Sequence, residues 1–112
     1  MQINEERQKG AVVVAPVGRI DTTTSSTLEQ HLTTILSGEE RRVVVDFTGV
    51  DYISSAGLRV MLMLAKRAKE VNGKVALCGM RDVVRQVFNL AGFTALFAIE
   101  ASREAAIGRV AG

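Results

Sequence analysis

The chain has 112 residues, of which 47% are hydrophobic and 23% charged, with a formal net charge of +2 at pH 7. This length and apolar content suit one globular domain, residues 1–112, built around one core. The small net charge and the scattered basic residues argue against a nucleic-acid partner, and no apolar run approaches the ~18–20 residues that cross a bilayer.

The first part of the chain predicts two strands followed by a helix. The apolar, β-branched run at 11–17 indicates a strand, and residues 2–4 are expected to add a short strand paired with it. Apolar residues at helical spacing between positions 28 and 36 predict a helix that ends at Gly38. Asp21, or one of the hydroxyl-bearing residues after it, is expected to cap this helix.

The rest of the chain alternates between strand and helix patterns. The predicted elements are a strand buried on both faces at 43–47, a helix from Leu58 to Asn72-Gly73, a strand at 74–78, a helix from Val83 to Leu90, a weaker strand at 95–99 and a helix at 103–110. Alternation of this kind implies parallel neighbours joined by right-handed crossovers. We expect an α/β fold with a small mixed sheet of four to five strands covered by about four helices.

Two loops leave the carboxyl ends of predicted strands, where open sheets of this type place their functional sites. They are residues 18–24, which contain Asp21, and residues 48–56, which contain adjacent hydroxyls at Ser54 and Ser55. The second loop leads into a helix, whose free N–H groups and positive dipole end stabilise a negative charge. A serine here is therefore either a helix cap or an acceptor of phosphate.

The inventory of catalytic groups is thin. The one histidine, His31, lies within a predicted helix, and no nucleotide-binding glycine motif or paired Cys/His spacing occurs. Ser54 and Ser55 have no neighbouring base in sequence, so we expect no catalytic residue and no enzyme. The single cysteine, Cys78, excludes an internal disulfide, and we expect no metal or other cofactor. The first ten residues do not resemble a signal peptide, which favours a cytoplasmic protein.

A phosphate on Ser55 would change the surface without breaking the fold. It carries roughly −1.5 to −2 charges and three acceptor oxygens, which a helix start accommodates. A partner docked over this junction would meet a dianion close to Asp21, and like charges in contact weaken binding. These residues favour a binding module that is switched by charge.

Five motifs in order carry a resemblance to a known family. They are G-x-I-D at 18–21, V-V-V-D-F at 43–47, Y-I-S-S-A-G-L-R at 52–59, N-G-K-V-A-L-C-G at 72–79 and V-F-N-L-A-G-F at 87–93. Over nearly its whole length the chain resembles the anti-sigma factor antagonist family, the bacterial STAS domains. The resemblance implies a small mixed sheet with helices.

The resemblance also implies partners and site residues. Members of the family bind an anti-sigma factor that is a serine kinase, are released when it phosphorylates them, and are restored by a PP2C-type phosphatase. The family acceptor lies two positions before a glycine, which is Ser55 here. Ser54 stands where many members carry Asp. This departure makes Ser54 an alternative acceptor, changes recognition by the kinase, or indicates a client other than a sigma factor. The expected partner-binding residues are Asp21, Thr22, Ser54, Ser55, Ala56, Gly57 and Arg59.

Two other functions are consistent with the same residues. One is a STAS scaffold subunit of a larger transport or stress complex that is never phosphorylated, with the two serines serving only as caps. The other is a sensor that binds a nucleotide or lipid at the strand ends. We expect a monomer when the protein is free, because the predicted pattern leaves no large apolar helix face uncovered.

Overall fold

The computed structural model describes residues 1–111, so Gly112, the last residue of the predicted domain, lies outside the described residues. Six strands and four helices occur in this range. The strands are β1 (Gln2–Gln8), β2 (Ala11–Ile20), β3 (Arg42–Asp46), β4 (Val50–Ile53), β5 (Lys74–Cys78) and β6 (Ala98–Glu100). The helices are α1 (Ser25–Ser37), α2 (Ser55–Glu70), α3 (Asp82–Leu90) and α4 (Arg103–Ala111). The predicted mixed α/β class is confirmed, with six strands where four to five were expected.

The strands form one mixed sheet in the order β1-β2-β3-β5-β6, and β4 pairs with the far end of β2. β1 runs antiparallel to β2, and the other pairs are parallel. The strand predicted at residues 2–4 is longer, because a two-residue turn at Lys9 and Gly10 folds β1 along β2 up to Gln8. Both turn residues have positive φ, 52° and 81°, as tight hairpin turns require.

The two faces of the sheet carry separate apolar clusters. Val12 and Val14 of β2 belong to the larger cluster, which α1, α2 and α3 complete, while Val13 between them belongs to a smaller one beneath α4. Phe88 of α3 lies in the larger cluster and makes edge-to-face contacts with three other phenylalanine rings. Burial on both faces explains why the central strands are continuous apolar runs.

Two segments differ from the sequence prediction. Residues 50–53, which were predicted to be part of a loop, form β4, because their backbone groups pair with residues 18–20 of β2. The register of this pairing shifts between Gly18 and Arg19. Only the first and last side chains of β4 are buried, so this strand shows neither alternation nor an apolar run. The strand predicted at 95–99 begins at Ala98, because the residues before it form a 3₁₀ turn at Phe93–Ala95.

One helix exposes an apolar stripe. Val83 and Leu90 of α3 lie two turns apart and are 55% and 90% exposed. The helix predicted from Val83 to Leu90 is therefore present, but the residues at its two predicted ends lie outside the core. None of the helices within residues 1–111 combines the length and hydropathy that crossing a bilayer requires.

Candidate functional site

The two loops predicted to carry the site lie side by side at the carboxyl ends of β2 and β4. Ile20 and Ile53, the last residues of these strands, are paired in register. The N–H of Ser54 donates to the carbonyl of Ile20 over 2.8 Å. The segment around Asp21 and the serine pair therefore begin from neighbouring backbone positions, although they are more than 30 residues apart in sequence.

The structure assigns different positions to the two serines. Ser54 is the N-cap of α2: its backbone is extended, and its Oγ accepts a hydrogen bond of 3.2 Å from the N–H of Gly57. Ser55 is the first residue of the helix, and its side chain is exposed. The capping role belongs to Ser54, so the hydroxyl of Ser55 is left free for another use.

Replacing Ser54 by Ala is expected to lower the free energy of unfolding by about 1 kcal/mol, because the N–H of Gly57 loses its acceptor. Ser55→Ala is the matched control and should change that free energy by no more than about 0.5 kcal/mol, since its side chain is exposed. Urea denaturation of both variants measures the difference. Equal losses in the two variants would contradict the assignment of the cap.

Gly57, which is predicted to contact a partner, is buried beneath the first turn of α2. A Cβ at this position would lie 2.7 Å from side-chain carbons of both Ile20 and Ile53. The absence of a side chain therefore lets the first turn of α2 approach the ends of β2 and β4 closely.

Gly57→Ala is expected to destabilise the fold by about 1–2 kcal/mol, since overpacking outweighs the better helix propensity of Ala. The control is Gly108→Ala in α4, where an added Cβ meets no atom within 4 Å. That variant should be more stable by roughly 0.5–1 kcal/mol. Thermal unfolding of the two variants should thus shift in opposite directions, and a shift in the same direction would refute the packing argument.

Asp21 organises the loop that enters α1. Its Oδ1 accepts hydrogen bonds from the backbone N–H groups of Thr23 (3.0 Å) and Thr24 (3.1 Å), and from the Thr23 hydroxyl (2.8 Å). The bond from the Thr23 side chain, followed by the bond from the Thr24 backbone, lowers the pKa of Asp21. The carboxylate is therefore ionised at neutral pH beside the start of α2, and Thr22 next to it is exposed.

Helix α1 is not capped in the expected way. Its N-cap is Thr24, whose side chain makes no capping bond within the described residues. Its hydroxyl instead donates to the carbonyl of Arg19 over 2.7 Å, and it accepts from the N–H of Asp21 over 2.9 Å. Asp21 binds N–H groups ahead of the helix, so the hydroxyl-rich segment forms a tight turn that holds the Asp21 carboxylate.

A stacked pair beside the site was missed by the sequence reasoning. The guanidinium of Arg19 lies 4.0 Å from the centre of the Tyr52 ring, and its Nε is 3.8 Å from Oδ2 of Asp21. Both side chains are exposed, and Arg and Tyr are common among the residues that dominate protein interfaces. Pairing of β2 with β4 brings them together, and β4 was not predicted.

A groove between α1 and α2 begins at Ala56, the residue after Ser55, and runs along the helices. Its first section, about 240 Å³, is lined at the α2 side by Ala56, Arg59 and Val60. The next section, about 490 Å³, is lined by Arg59, Leu62, Met63, Lys66, Arg67, Glu70 and, from α1, Thr33. Arg59 belongs to both sections, so it stands where they meet.

Other chemically notable residues lie outside this site. Nε2 of His31 is 2.6 Å from Oε1 of Glu5 on β1, so the histidine forms a hydrogen bond with β1 and not with the serine pair. The Asp46 carboxylate is bound by Thr48 and Arg103, away from Asp21. Residues 1–111 contain no group of three or more His, Cys, Asp or Glu side chains arranged to hold a metal.

Comparisons with a family model and with known relatives agree on one family. Residues 2–106 match the STAS domain family model. A relative from Bordetella bronchiseptica, BtrV, which is named as an anti-sigma factor antagonist, is 39% identical over 106 residues, covering 95% of this chain and 91% of its own.

Solved structures share the fold at low sequence identity. The anti-sigma factor antagonist SpoIIAA in its unphosphorylated form superposes with a TM-score of 0.81 at 23% identity, covering 97% of this chain and 96% of its own. The phosphorylated form of SpoIIAA, a Bacillus cell fate determinant, gives 0.75 at 22% identity, covering 97% and 99%.

Proposed function

This chain belongs to the STAS domain family, and on that premise we propose that it is an anti-sigma factor antagonist released from its partner by phosphorylation of Ser55. Its relatives are named as antagonists of another protein and not as enzymes. This protein likewise is a regulator and not an enzyme. In this proposal the partner is a cytoplasmic anti-sigma factor that is also a serine kinase. A PP2C-type phosphatase reverses the modification.

The observation that carries the proposal is that the two adjacent serines hold different positions at the start of α2. Ser54 makes the capping bond, while Ser55 is exposed on the first turn of α2. An enzyme can therefore reach the Ser55 hydroxyl without unfolding the helix start. The half-buried and capping hydroxyl of Ser54 is the poorer acceptor, which supports Ser55 over the alternative.

Charge at the site supports release without refolding. A phosphate at Ser55 brings roughly −1.5 to −2 charges to a surface that already carries the ionised Asp21. A partner carboxylate that tolerates Asp21 alone would face a much larger negative potential after modification. A solved relative, SpoIIAA, has the same fold in both phosphorylated and unphosphorylated forms, which supports a change confined to the surface.

The proposed docking surface combines the exposed and half-buried members of the predicted set, apart from the capping Ser54, with the stacked pair. It consists of Arg19, Asp21, Thr22, Tyr52, Ser55, Ala56 and Arg59. Gly57 supports this surface from beneath, and Ser54 holds the helix start in place. The Arg and Tyr side chains are the expected affinity anchors, while the charges around them set the partner choice and the association rate.

The test is phosphorylation by the anti-sigma factor kinase encoded in the same genome, with ATP and intact-mass detection. We expect the wild-type chain and Ser54→Ala to gain one phosphate and Ser55→Ala to gain none. The Ser55→Ala protein should still bind the kinase. Modification of Ser55→Ala at Ser54, or of neither serine in the wild type, would refute the proposed switch.

A constitutive scaffold subunit is the second candidate function. The observation that favours it is the stripe of Val83 and Leu90 on α3, which offers an apolar surface away from Ser55. Such a subunit would carry no phosphate in its native cells, and Leu90→Asp would release it from its assembly. Mass spectrometry of the native protein across growth conditions distinguishes this function from the switch.

A further inference from the structure

We propose that the guanidinium of Arg59 binds the phosphate on Ser55, so that the modified chain withdraws this cation from its own α1–α2 groove. This inference rests on the proposed function, since it concerns the state after phosphorylation. It assigns to Arg59 a second role besides contact with the partner. The unmodified chain presents the guanidinium to a partner, and the phosphorylated chain withdraws it.

Helix geometry places the two groups within reach. Ser55 and Arg59 are four residues apart on α2, so their Cβ atoms are about 5–6 Å apart on one face of the helix. Side chains in a helix lean toward its N-terminus, so the long Arg59 side chain extends over the turn that contains Ser55. An acidic group that precedes a basic one by four residues is also the more favourable order.

The guanidinium of Arg59 is available in the unmodified chain. Six other arginines within residues 1–111 bind carboxylate or carbonyl oxygens through their side chains, whereas Arg59 makes no hydrogen bond or ion pair there. Glu29 lines the same groove section and is the nearest competing anion on α1, yet it is not paired with Arg59. A phosphate dianion offers more charge and three acceptor oxygens, which suit the planar guanidinium fork.

The position of Arg59 gives this pairing a consequence for binding. Arg59 lines both sections of the groove, and Leu62 and Met63 supply apolar surface in the second section. A guanidinium turned back onto a phosphate at residue 55 would remove a cation from the point where the two sections meet. Phosphorylation would then weaken binding in two ways, by adding negative charge beside Asp21 and by occupying Arg59.

The test needs no kinase or partner, because phosphoserine is installed at position 55 by an expanded genetic code. A pH titration followed by ³¹P NMR at 0.1 M salt measures the second pKa of the phosphate, ordinarily about 6. We expect Arg59→Gln to raise this pKa by about half a unit relative to the phosphorylated wild type, a roughly three-fold change in the ionisation constant. Arg59→Lys should retain part of the effect, since it keeps the charge but loses the fork.

Arg67→Gln is the matched control. Arg67 is an exposed arginine on the same helix, also without a partner within residues 1–111, and it lies ~18 Å along the axis from Ser55. At 0.1 M salt its influence on the phosphate is largely screened. Equal pKa values in the Arg59→Gln and Arg67→Gln proteins would overturn the inference and leave the proposed function standing. Failure of kinases to modify Ser55 would instead overturn the function while the intramolecular pair could still be measured.

Discussion

Replacing Ser55 by Asp is expected to lower the affinity for the proposed anti-sigma factor kinase about 100-fold while leaving the fold intact. The substitution places a permanent carboxylate on the first turn of α2, beside the ionised carboxylate of Asp21. A loss of this size corresponds to about 2.7 kcal/mol, within the range that like charges brought together at an interface can reach. A negative charge at a helix start is itself mildly stabilising, so unfolding should be unchanged or slightly delayed.

Ser102→Asp is the control that tests whether the position of the added negative charge matters. Ser102 precedes α4, and its Oγ accepts from the N–H of Ala105, a bond that Asp can also form. The added charge is the same, but α4 covers the opposite face of the sheet from α1 and α2. Isothermal titration calorimetry should find wild-type affinity for this variant. If Ser55→Asp binds as tightly as Ser102→Asp, the charge switch at Ser55 is wrong.

Replacing Asp46 by Asn is expected to lower the free energy of unfolding by roughly 3 kcal/mol at pH 7. Asp46 lies at the end of β3 and is 7% exposed. Its Oδ2 accepts from Nε (3.1 Å) and Nη2 (2.9 Å) of Arg103, and its Oδ1 accepts from the N–H (2.9 Å) and hydroxyl (2.6 Å) of Thr48. An amide cannot accept all four bonds or neutralise the guanidinium, so the first turn of α4 loses its attachment to the sheet.

Glu6→Gln provides the control for this loss. Oε1 of Glu6 is 3.0 Å from Nη1 of the same Arg103, but the Glu6 side chain is half exposed. An exposed ion pair contributes roughly 0–1 kcal/mol, so this variant should be nearly as stable as the wild type. Urea denaturation compares the two variants directly. A loss in Asp46→Asn no larger than in Glu6→Gln would show that the buried network does not hold α4.

The ionisation of the Asp46 carboxyl group should also make the free energy of unfolding depend on pH. Burial alone would raise the pKa of Asp46, but the bonds from Thr48 and Arg103 outweigh it and the pKa lies below its ordinary value. A lowered folded-state pKa means that the stabilisation is complete above the unfolded pKa of about 4 and is lost as the pH falls through the folded value. The difference in stability between wild type and Asp46→Asn should therefore shrink as the pH is lowered below about 4.

Several features of the fold follow from local sequence patterns. The three-valine runs of β2 and β3 require burial on both faces, and the structure places alternate valines in two clusters. The apolar spacing after Leu58 predicts α2, and the serine pair before it marks a helix start. Patterns of this kind are local because side-chain periodicity alone separates a buried strand from an amphipathic helix.

The sequence could not decide between the two serines. Both stand at the strand–helix junction, and either could supply the cap. The choice depends on which residue holds the extended conformation of the N-cap, and that is set by the bond from the N–H of Ser54 to the carbonyl of Ile20. The strand pairing that makes this bond joins segments more than 30 residues apart, so no local pattern records it.

By itself, the sequence determined the alternation of strands and helices, the buried central strands and the position of the hydroxyl pair before α2. Only the tertiary structure decided that Ser55 is exposed, that Arg19 stacks on Tyr52 and that Asp46 anchors Arg103 across 57 residues of chain. Periodicity reports which face of an element is apolar. Contacts between polar side chains depend instead on how distant elements pack, and their energies are too small and too specific in geometry to leave a repeating pattern.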